Sequence, residues 1–380
     1  FDAEGDEVGL RRATRMGMWL SMGFAVLALP LMIWSRPIMA LMGQDQALAD
    51  MVDGYLFIAA WGIFPALMVM VLKSYLAALE RTQVVLWITL LAGVANVLAN
   101  YAFIFGNWGA PELGVRGAAI ASVTSHSVSL VAVVIYVLWK MPQHQMFVRL
   151  WRPDWEMLAR VFRLGLPIGF TGLSEVGLFA ASAVMMGWLG TVALAAHGIA
   201  LQLASITFMV HLGISNVATI RAGNAYGRRD PAHLARGAIT ATVMSALVAV
   251  LTIFVFVMWP EPLINLFMQR DEPARDQILV IGVGLLAMAS LFQLVDGAQA
   301  VALGILRGVQ DTTVPMLLAG FSYWIVGMPA SYLLGFVFDL EGVGVWLGLV
   351  FGLGVAAILL NARFWGSVLK RLGPTDPAAA

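Results

Sequence analysis

The chain consists of long, continuously apolar stretches separated by short polar connections. Apolar stretches of spanning length occur at 16–34, 54–72, 84–106, 117–139, 164–190, 191–220, 237–260, 277–306, 312–338 and 342–362. Each approaches or exceeds the roughly 20 residues that a helix needs to cross a bilayer. The apolar residues are continuous rather than alternating, which favours membrane-spanning helices over a β-barrel. The sequence therefore predicts an all-α polytopic membrane protein.

Composition supports a membrane protein and excludes several chemistries. Hydrophobic residues make up 61% of the sequence and charged residues only 12%, whereas soluble domains carry roughly 25% charged residues. The net charge of zero gives no indication of a nucleic-acid partner. The absence of cysteine excludes disulfides, thiolate metal sites and cysteine nucleophiles. The sequence lacks a Walker A motif, an HExxH motif and a nucleophile elbow, so we predict neither an enzyme nor an ATP-driven pump.

Basic residues divide unequally between the two sets of connections. With alternating spans, all but four of the 22 lysines and arginines fall on one side. The four exceptions are Arg36, Arg116, Arg270 and Arg275. By the positive-inside rule the arginine-rich side is predicted to be cytoplasmic. Both ends of this chain are then expected in the cytoplasm.

The two halves of the chain resemble each other at an offset of about 225 residues. Residues 36–51 resemble residues 261–277, and the same alignment pairs Arg81 with Arg307. Both copies keep the same membrane orientation. We therefore predict parallel repeats that are related by an axis along the membrane normal.

The repeat divides the chain into two lobes of unequal length. Residues 1–139 contain four predicted spans and form an incomplete first lobe, whereas residues 164–371 contain six and form the second lobe. Two helices of the first lobe are therefore expected to precede Phe1 in the natural protein. The alternative is a natural protein of ten spans.

Residues 140–163 join the two predicted lobes. Aromatic and aliphatic residues alternate there with arginines, and this pattern predicts a cytoplasmic linker that contains an interfacial helix. Residues 372–380 form the predicted C-terminal tail.

Two acidic side chains lie near the middle of predicted spans, Glu175 within 164–190 and Asp296 within 277–306. A carboxylate at that depth costs about 3 kcal/mol even on insertion-based scales, so it normally faces a cavity, binds an ion or carries a proton. A pair of such groups can hold a proton or, when ionised, bind Na⁺, and a cationic substrate would compete for the same charge. We therefore predict that both acids couple a cation and bind substrate, with Na⁺ as the candidate metal ion. The alternative is that nearby serine and glutamine side chains satisfy both acids without a transport role.

Neutral polar side chains within the spans are further candidates for lining a cavity. They are Asn96, Asn100, Gln202, Gln293 and Gln299. Hydrogen bonding between helices explains such residues almost as well. His126 and His197 have no acid at helical spacing, which favours structural hydrogen bonding over a proton relay.

Six segments, in order along the chain, carry a resemblance to one transporter family. They are ALERTQ (78–83), NVLANYAFIFG (96–106), LGVRGAAIAS (113–122), GLPIGFTGLSEVGLF (165–179), AAHGIALQLASITFMVHLGISNVATIRAGNAYGRRD (195–230) and DGAQAVALGILRGVQDTTVP (296–315). Together they resemble the multidrug and toxic compound extrusion (MATE) family, in its bacterial NorM-like branch. The resemblance covers essentially the whole chain.

This resemblance implies twelve spans in two six-helix lobes and export of amphipathic, often cationic, organic compounds by inward H⁺ or Na⁺, without a cofactor. It also implies that Glu175 and Asp296 match acids of the second-lobe cation site. Asn96 and Asn100 match a first-lobe polar pair that faces the same cavity. Phe292 occupies a position where the family often has tyrosine. The implied location is the bacterial plasma (inner) membrane, where we expect a monomer.

Other functions share part of this pattern. A lipid-linked oligosaccharide flippase of the same superfamily usually carries basic residues in its central cavity, whereas these membrane spans hold acids and almost no bases. A metabolite exporter would show the same sequence pattern as a drug exporter. A passive channel or structural membrane protein would differ in failing to accumulate substrate against its gradient.

Overall fold

The computed structural model describes residues 6–41, 46–268 and 272–372, and within these ranges the chain forms helices without any β-strand. The first helices are α1 (Glu7–Ile33), α2 (Ser35–Leu41), α3 (Gln46–Ala78), α4 (Thr82–Phe105), α5 (Val115–Lys140) and α6 (Trp155–Leu189). They are followed by α7 (Thr191–Gly227), α8 (Pro231–Met258), α9 (Pro260–Asn265), α10 (Arg275–Gly308), α11 (Thr313–Phe321), α12 (Met328–Tyr332), α13 (Glu341–Arg363) and α14 (Leu369–Leu372).

Ten helical segments of the described chain are long and apolar enough to cross a membrane. The predicted all-α polytopic class is therefore confirmed. Several helices extend beyond the predicted apolar runs, because polar first and last turns continue the same helix. For example, α6 begins at Trp155 rather than at 164, and α7 continues to Gly227 rather than ending at 220.

The last two spans include π-helical turns. Segments Ser322–Gly327 and Leu333–Val337 flank α12, and Phe364–Val368 separates α13 from α14. A π-helical turn adds a residue to the helical repeat and changes which side chains face a neighbouring helix, and such turns are frequent at functional sites. The first of these segments contributes to the site described below.

The chain divides into two compact units between Phe162 and Arg163. In the first unit, α3 packs against α1 and α5, and α4 packs against α5. In the second unit, α10 is the central helix and packs against α7, α8 and α13. Buried side chains such as Leu285 and Trp346 belong to the core of this second unit.

Each unit contains a short helix directly after one of its spans. Helix α2 follows α1, and helix α9 follows α8. A tryptophan ends each preceding span: Trp34 donates its backbone N–H to Pro30, and Trp259 donates to Val255. Parts of the repeat alignment in this region, residues 42–45 and 269–271, and with them Arg270, lie outside the described residues.

The turns after α3 and α10 are also alike. Glu80 and Gln310 both have a left-handed backbone, with φ of 57° and 63°. The next residue in each turn donates its N–H five residues back, from Arg81 to Leu76 and from Asp311 to Leu306. Arg81 therefore corresponds to Asp311. The sequence alignment of Arg81 with Arg307 is wrong, because Arg307 lies in the last turn of α10 itself.

The linker differs from its prediction. Residues Pro142–His144 form one 3₁₀ turn, and further turns lead to Trp155, where α6 begins. Within 140–163 the helical part begins at Trp155 and forms the polar first turns of α6 instead of a helix of its own. Its interfacial position stays a prediction. Phe1 and most of the predicted tail, residues 373–380, lie outside the described residues.

Candidate functional site

A polar cluster in the second unit is centred on the side-chain amide of Gln299. Its Nε2 donates to Glu175 Oε1 at 3.0 Å and to Asp296 Oδ1 at 3.3 Å. Asp296 and Gln299 are almost fully buried, with 2% and 1% of their surface exposed, and Glu175 is half-buried. The structure thus brings both sequence-predicted acids to one nitrogen atom.

Three elements build this cluster. Helix α6 supplies Glu175, and α10 supplies Asp296 and Gln299, whose spacing of three places them on one helix face. The π-helical segment Ser322–Gly327 supplies Tyr323, which is fully buried and donates its hydroxyl to Gln299 Oε1. Because the hydroxyl proton points at Oε1, the NH₂ end of the amide is directed toward the carboxylates.

Charge in this cluster is unbalanced. The Gln299 amide donates hydrogen bonds to both Glu175 and Asp296 but carries no charge. Arg307, in the last turn of α10, interacts electrostatically with Glu175 without forming an ion pair at contact distance. Two carboxylates in a poorly hydrated region repel each other strongly when both are ionised. The arrangement therefore suits the binding of one additional positive charge, such as a proton or a monovalent cation.

Comparison with known proteins identifies the fold and the family. Residues 3–102 and 167–333 match the MatE family. A protein of Rhizobium meliloti strain 1021, named probable multidrug resistance protein NorM, is 42% identical over 99% of this chain and 80% of its own length. Its namesake in Agrobacterium fabrum is also 42% identical, over 95% of this chain and 78% of its own length. The chain belongs to the MatE family.

Solved structures agree with this assignment at the level of the fold. The eukaryotic MATE transporter AtDTX14 superposes on this MatE family member with a TM-score of 0.86 at 18% identity, covering 98% of this chain and 81% of that structure. The resemblance stated from the sequence is thus confirmed for the family.

Tyr323 is the member of the cluster that sequence reasoning missed. It lies in the predicted span 312–338, where a tyrosine hydroxyl requires a partner if it is buried. That requirement was the available signal. The partner itself was not predictable, because the π-helical turn determines which way Tyr323 faces.

In this MatE family member, Phe292 lies in an aromatic cluster. Its ring packs edge-to-face against Phe179 at 5.8 Å and Trp346 at 5.6 Å between centroids. Trp346 also donates its Nε1–H to His197 Nδ1 at 3.0 Å. His197 therefore forms a buried structural hydrogen bond, as its sequence context predicted.

The other predicted polar residues have different hydrogen-bond partners or exposed side chains. Asn100 Nδ2 donates to Asn96 Oδ1 at 2.9 Å within α4 of the first unit. Gln202, on α7, has an exposed side chain. Gln293 is buried one turn before Asp296 and donates to the carbonyl of Ala204 at 2.9 Å, while its Oε1 has no partner among the described residues.

Helices α7 and α8 approach α10 closely beside Asp296. His211 Nδ1 lies 2.8 Å from Ser245 Oγ, and both side chains are buried. A Cβ atom on Gly297 would lie 2.6 Å from His211 Nδ1 and 2.7 Å from Ser245 Oγ. Glycine at this position therefore allows α10 to pack directly against His211 and Ser245.

The described residues contain no group of three or more His, Cys, Asp or Glu side chains able to hold a metal ion. A cation at this site would accordingly be bound by Glu175 and Asp296 with neutral oxygen donors. Gln293 Oε1, which has no hydrogen-bond partner among the described residues, and the Tyr323 hydroxyl are neutral oxygens carried by α10 and by the π-helical segment of this cluster. Oxygen ligands of this kind suit a proton or a hard cation such as Na⁺.

Proposed function

We propose that this MatE family member is a secondary active multidrug exporter of the bacterial plasma (inner) membrane. It exchanges an inward-moving H⁺ or Na⁺ for amphipathic, cationic organic compounds by alternating access. Both ends of this chain lie in the cytoplasm, the transporter acts as a monomer, and no cofactor takes part. The names of the NorM relatives, with which it shares 42% identity, support drug export.

The observation that carries this proposal is the contact of Glu175 and Asp296 with one uncharged amide. The pair requires one positive charge to remain buried at low cost, because unpaired buried charges are strongly unfavourable. A proton or Na⁺ meets this requirement in one state, and a cationic substrate meets it in the other. Mutual exclusion of the two cations then couples their movement in opposite directions.

Efflux from proteoliposomes tests the proposal. Liposomes containing the protein are loaded with ethidium, and either a Na⁺ gradient or a pH gradient is imposed. We expect one of the two gradients to drive ethidium movement against its concentration gradient, and the effective gradient identifies the coupling ion. Response to neither gradient contradicts the proposal for this cargo and directs the test to lipid-linked oligosaccharides.

Glu175→Gln is the matching variant. It retains the side-chain shape and removes the charge, so we expect gradient-driven efflux to fall to the level of protein-free liposomes. Glu156→Gln provides the control, because Glu156 lies on the same helix with its side chain 91% exposed. Gradient-driven efflux at wild-type rate in Glu175→Gln would contradict the assigned role.

A further inference from the structure

A second feature lies in the first unit, apart from the carboxylate cluster. A cavity of about 460 Å³ opens between the first turns of α1 and the linker that precedes α6. Four arginines line it, Arg12, Arg15, Arg149 and Arg152. Asp154 is the single acidic residue among its lining residues. The proposed transport site makes no use of this concentration of positive charge.

Most of the positive charge in the cavity is uncompensated. Arg12 is neutralised, because its Nε and Nη2 donate to the two carboxylate oxygens of Asp154, at 2.5 and 3.1 Å. Arg15 donates only to two backbone carbonyls of the linker, which are neutral acceptors. Arg149 and Arg152 have no carboxylate at ion-pairing distance within the described part of the chain. Three guanidinium charges therefore remain available to an anion.

The walls of the cavity are fixed by hydrogen bonds between α1 and the linker. Arg15 Nε donates to the carbonyl of Met146 at 2.9 Å, and Trp19 Nε1 donates to the carbonyl of Leu150 at 2.7 Å. These contacts hold the linker against α1. An anion would consequently enter a site whose arginines are already gathered, which lowers the entropic cost of binding.

Neighbouring aromatic residues place the cavity at the level of the lipid headgroups. Trp151 and Trp155 are 73% and 70% exposed beside it. At the end of α5, Lys140 Nζ lies 4.1 Å from the centroid of the Trp139 ring. Tryptophan with adjacent basic residues is typical of the membrane–water interface. The apolar part of α1 begins at Met16, directly after Arg15.

We propose that this cavity binds the phosphate of an anionic phospholipid headgroup. Guanidinium groups bind phosphate oxygens in bidentate geometry, and basic pockets beside transmembrane helices suit anionic headgroups. The lipid is favoured over soluble phosphate because exposed tryptophans flank the arginines and offer contact to the glycerol and acyl region. The lipid enters from the side that the basic residues predict to be cytoplasmic.

Native mass spectrometry of the detergent-purified chain tests this site. The protein is mixed with equal amounts of phosphatidylglycerol and phosphatidylcholine that have identical acyl chains. We expect wild type to retain the anionic lipid in preference. Arg149→Gln/Arg152→Gln should weaken retention of phosphatidylglycerol about tenfold or more, because each basic residue near a headgroup contributes to binding. Arg228→Gln/Arg229→Gln is the control, since these two arginines are also exposed and close in sequence, and Arg229 shares the left-handed backbone of Arg149.

A variant that removes negative charge from the cavity distinguishes an electrostatic effect on lipid binding from misfolding. Asp154→Asn removes the closer of the two carboxylates that Arg12 contacts and leaves only the 3.4 Å contact with Glu156, so retention of phosphatidylglycerol should increase. Equal losses in both arginine double variants, or no loss in either, would overturn the proposal. Displacement of the lipid by inorganic phosphate at similar concentration would also overturn it, in favour of a soluble anion.

Discussion

The two units handle polar groups inside membrane spans in different ways. In the first unit, Asn96 and Asn100 are neutral, four residues apart on α4, and bonded to each other at 2.9 Å. In the second unit, Glu175 and Asp296 come from different helices and meet at Gln299, whose amide is oriented by a third element. One pair is satisfied within a helix, and the other depends on tertiary structure.

The asparagine pair is satisfied by a hydrogen bond within one helix, whereas we propose that the carboxylate pair needs a bound cation. Two amides complement each other as donor and acceptor, so the asparagine pair stays neutral in every state. Two carboxylates are both acceptors when ionised, and the Gln299 NH₂ group supplies hydrogen bonds without charge. Among the sites described, the carboxylate pair of the second unit is therefore the one that we propose changes its state when a cation binds.

The largest expected effect comes from removing charge in the second unit. Asp296→Asn keeps the size of the side chain but removes the need for a cation. We expect gradient-driven ethidium efflux from proteoliposomes to fall to the protein-free level. Asn100→Ala removes one neutral hydrogen bond within α4 and should leave at least about half of the efflux, since such a bond contributes about 1 kcal/mol. Equal efflux in the two variants would contradict the distinction between the units.

The close packing behind Asp296 gives the next largest effect. Gly297→Ala places a methyl group 2.6 Å from His211 Nδ1, and His211 cannot move freely because it is fully buried. Overpacking of this kind costs about 1–3 kcal/mol. We expect a lower thermal unfolding midpoint in detergent together with reduced efflux.

Gly93→Ala is the matched control for this packing. Gly93 lies on α4 of the first unit, and no atom of the described residues outside its own helical turns is within 4 Å of the position that its Cβ would occupy. Alanine is favoured over glycine in a helix by about 1 kcal/mol, so the unfolding midpoint should stay unchanged or rise. A rise in Gly297→Ala as well would show that α10 has room beside Asp296.

The orientation of Gln299 gives a smaller effect. Tyr323→Phe removes the hydroxyl that bonds to Gln299 Oε1 but keeps the ring. We expect the initial rate of efflux to fall by up to about tenfold, the equivalent of a hydrogen bond of about 0.5–1.5 kcal/mol. Tyr332→Phe, on the same span with an exposed, stacked ring, should have wild-type efflux. An unchanged rate in Tyr323→Phe would show that the amide is positioned without the hydroxyl.

The part of this site that sequence predicts is the part set by local pattern. Apolar runs of spanning length predicted the ten spans, and a carboxylate inside such a run identified Glu175 and Asp296 as unusual without any knowledge of their neighbours. The contact of Tyr323 with Gln299 depends on a π-helical turn. The equivalence of Arg81 with Asp311, and not with Arg307, depends on where α10 ends. Both are determined by packing between helices, which the linear pattern does not contain.

Each unit also has an ion pair that joins the end of a spanning helix to a neighbouring connection. Arg363 and Asp311 in the second unit are joined at 2.8 Å, with side chains 22% and 18% exposed. Arg12 and Asp154 in the first unit are 40% and 26% exposed. Because exposed ion pairs contribute only about 0–1 kcal/mol, Asp311→Asn should lower the unfolding midpoint more than Asp154→Asn does at neutral pH.

The smallest expected effect is the pH dependence of the stabilisation by the ion pair of Arg12 with Asp154. The hydrogen bonds from Arg12 and from the Met157 N–H hold the pKa of Asp154 below its ordinary value. The folded state thus binds this proton less readily than the unfolded state, so the stabilisation is complete above about pH 4 and disappears as the pH falls through the folded pKa. The difference in unfolding midpoint between wild type and Asp154→Asn should therefore shrink from pH 6 to pH 3. A difference that stays constant over this range would mean that the substitution acts through packing or helix capping rather than through the loss of charge.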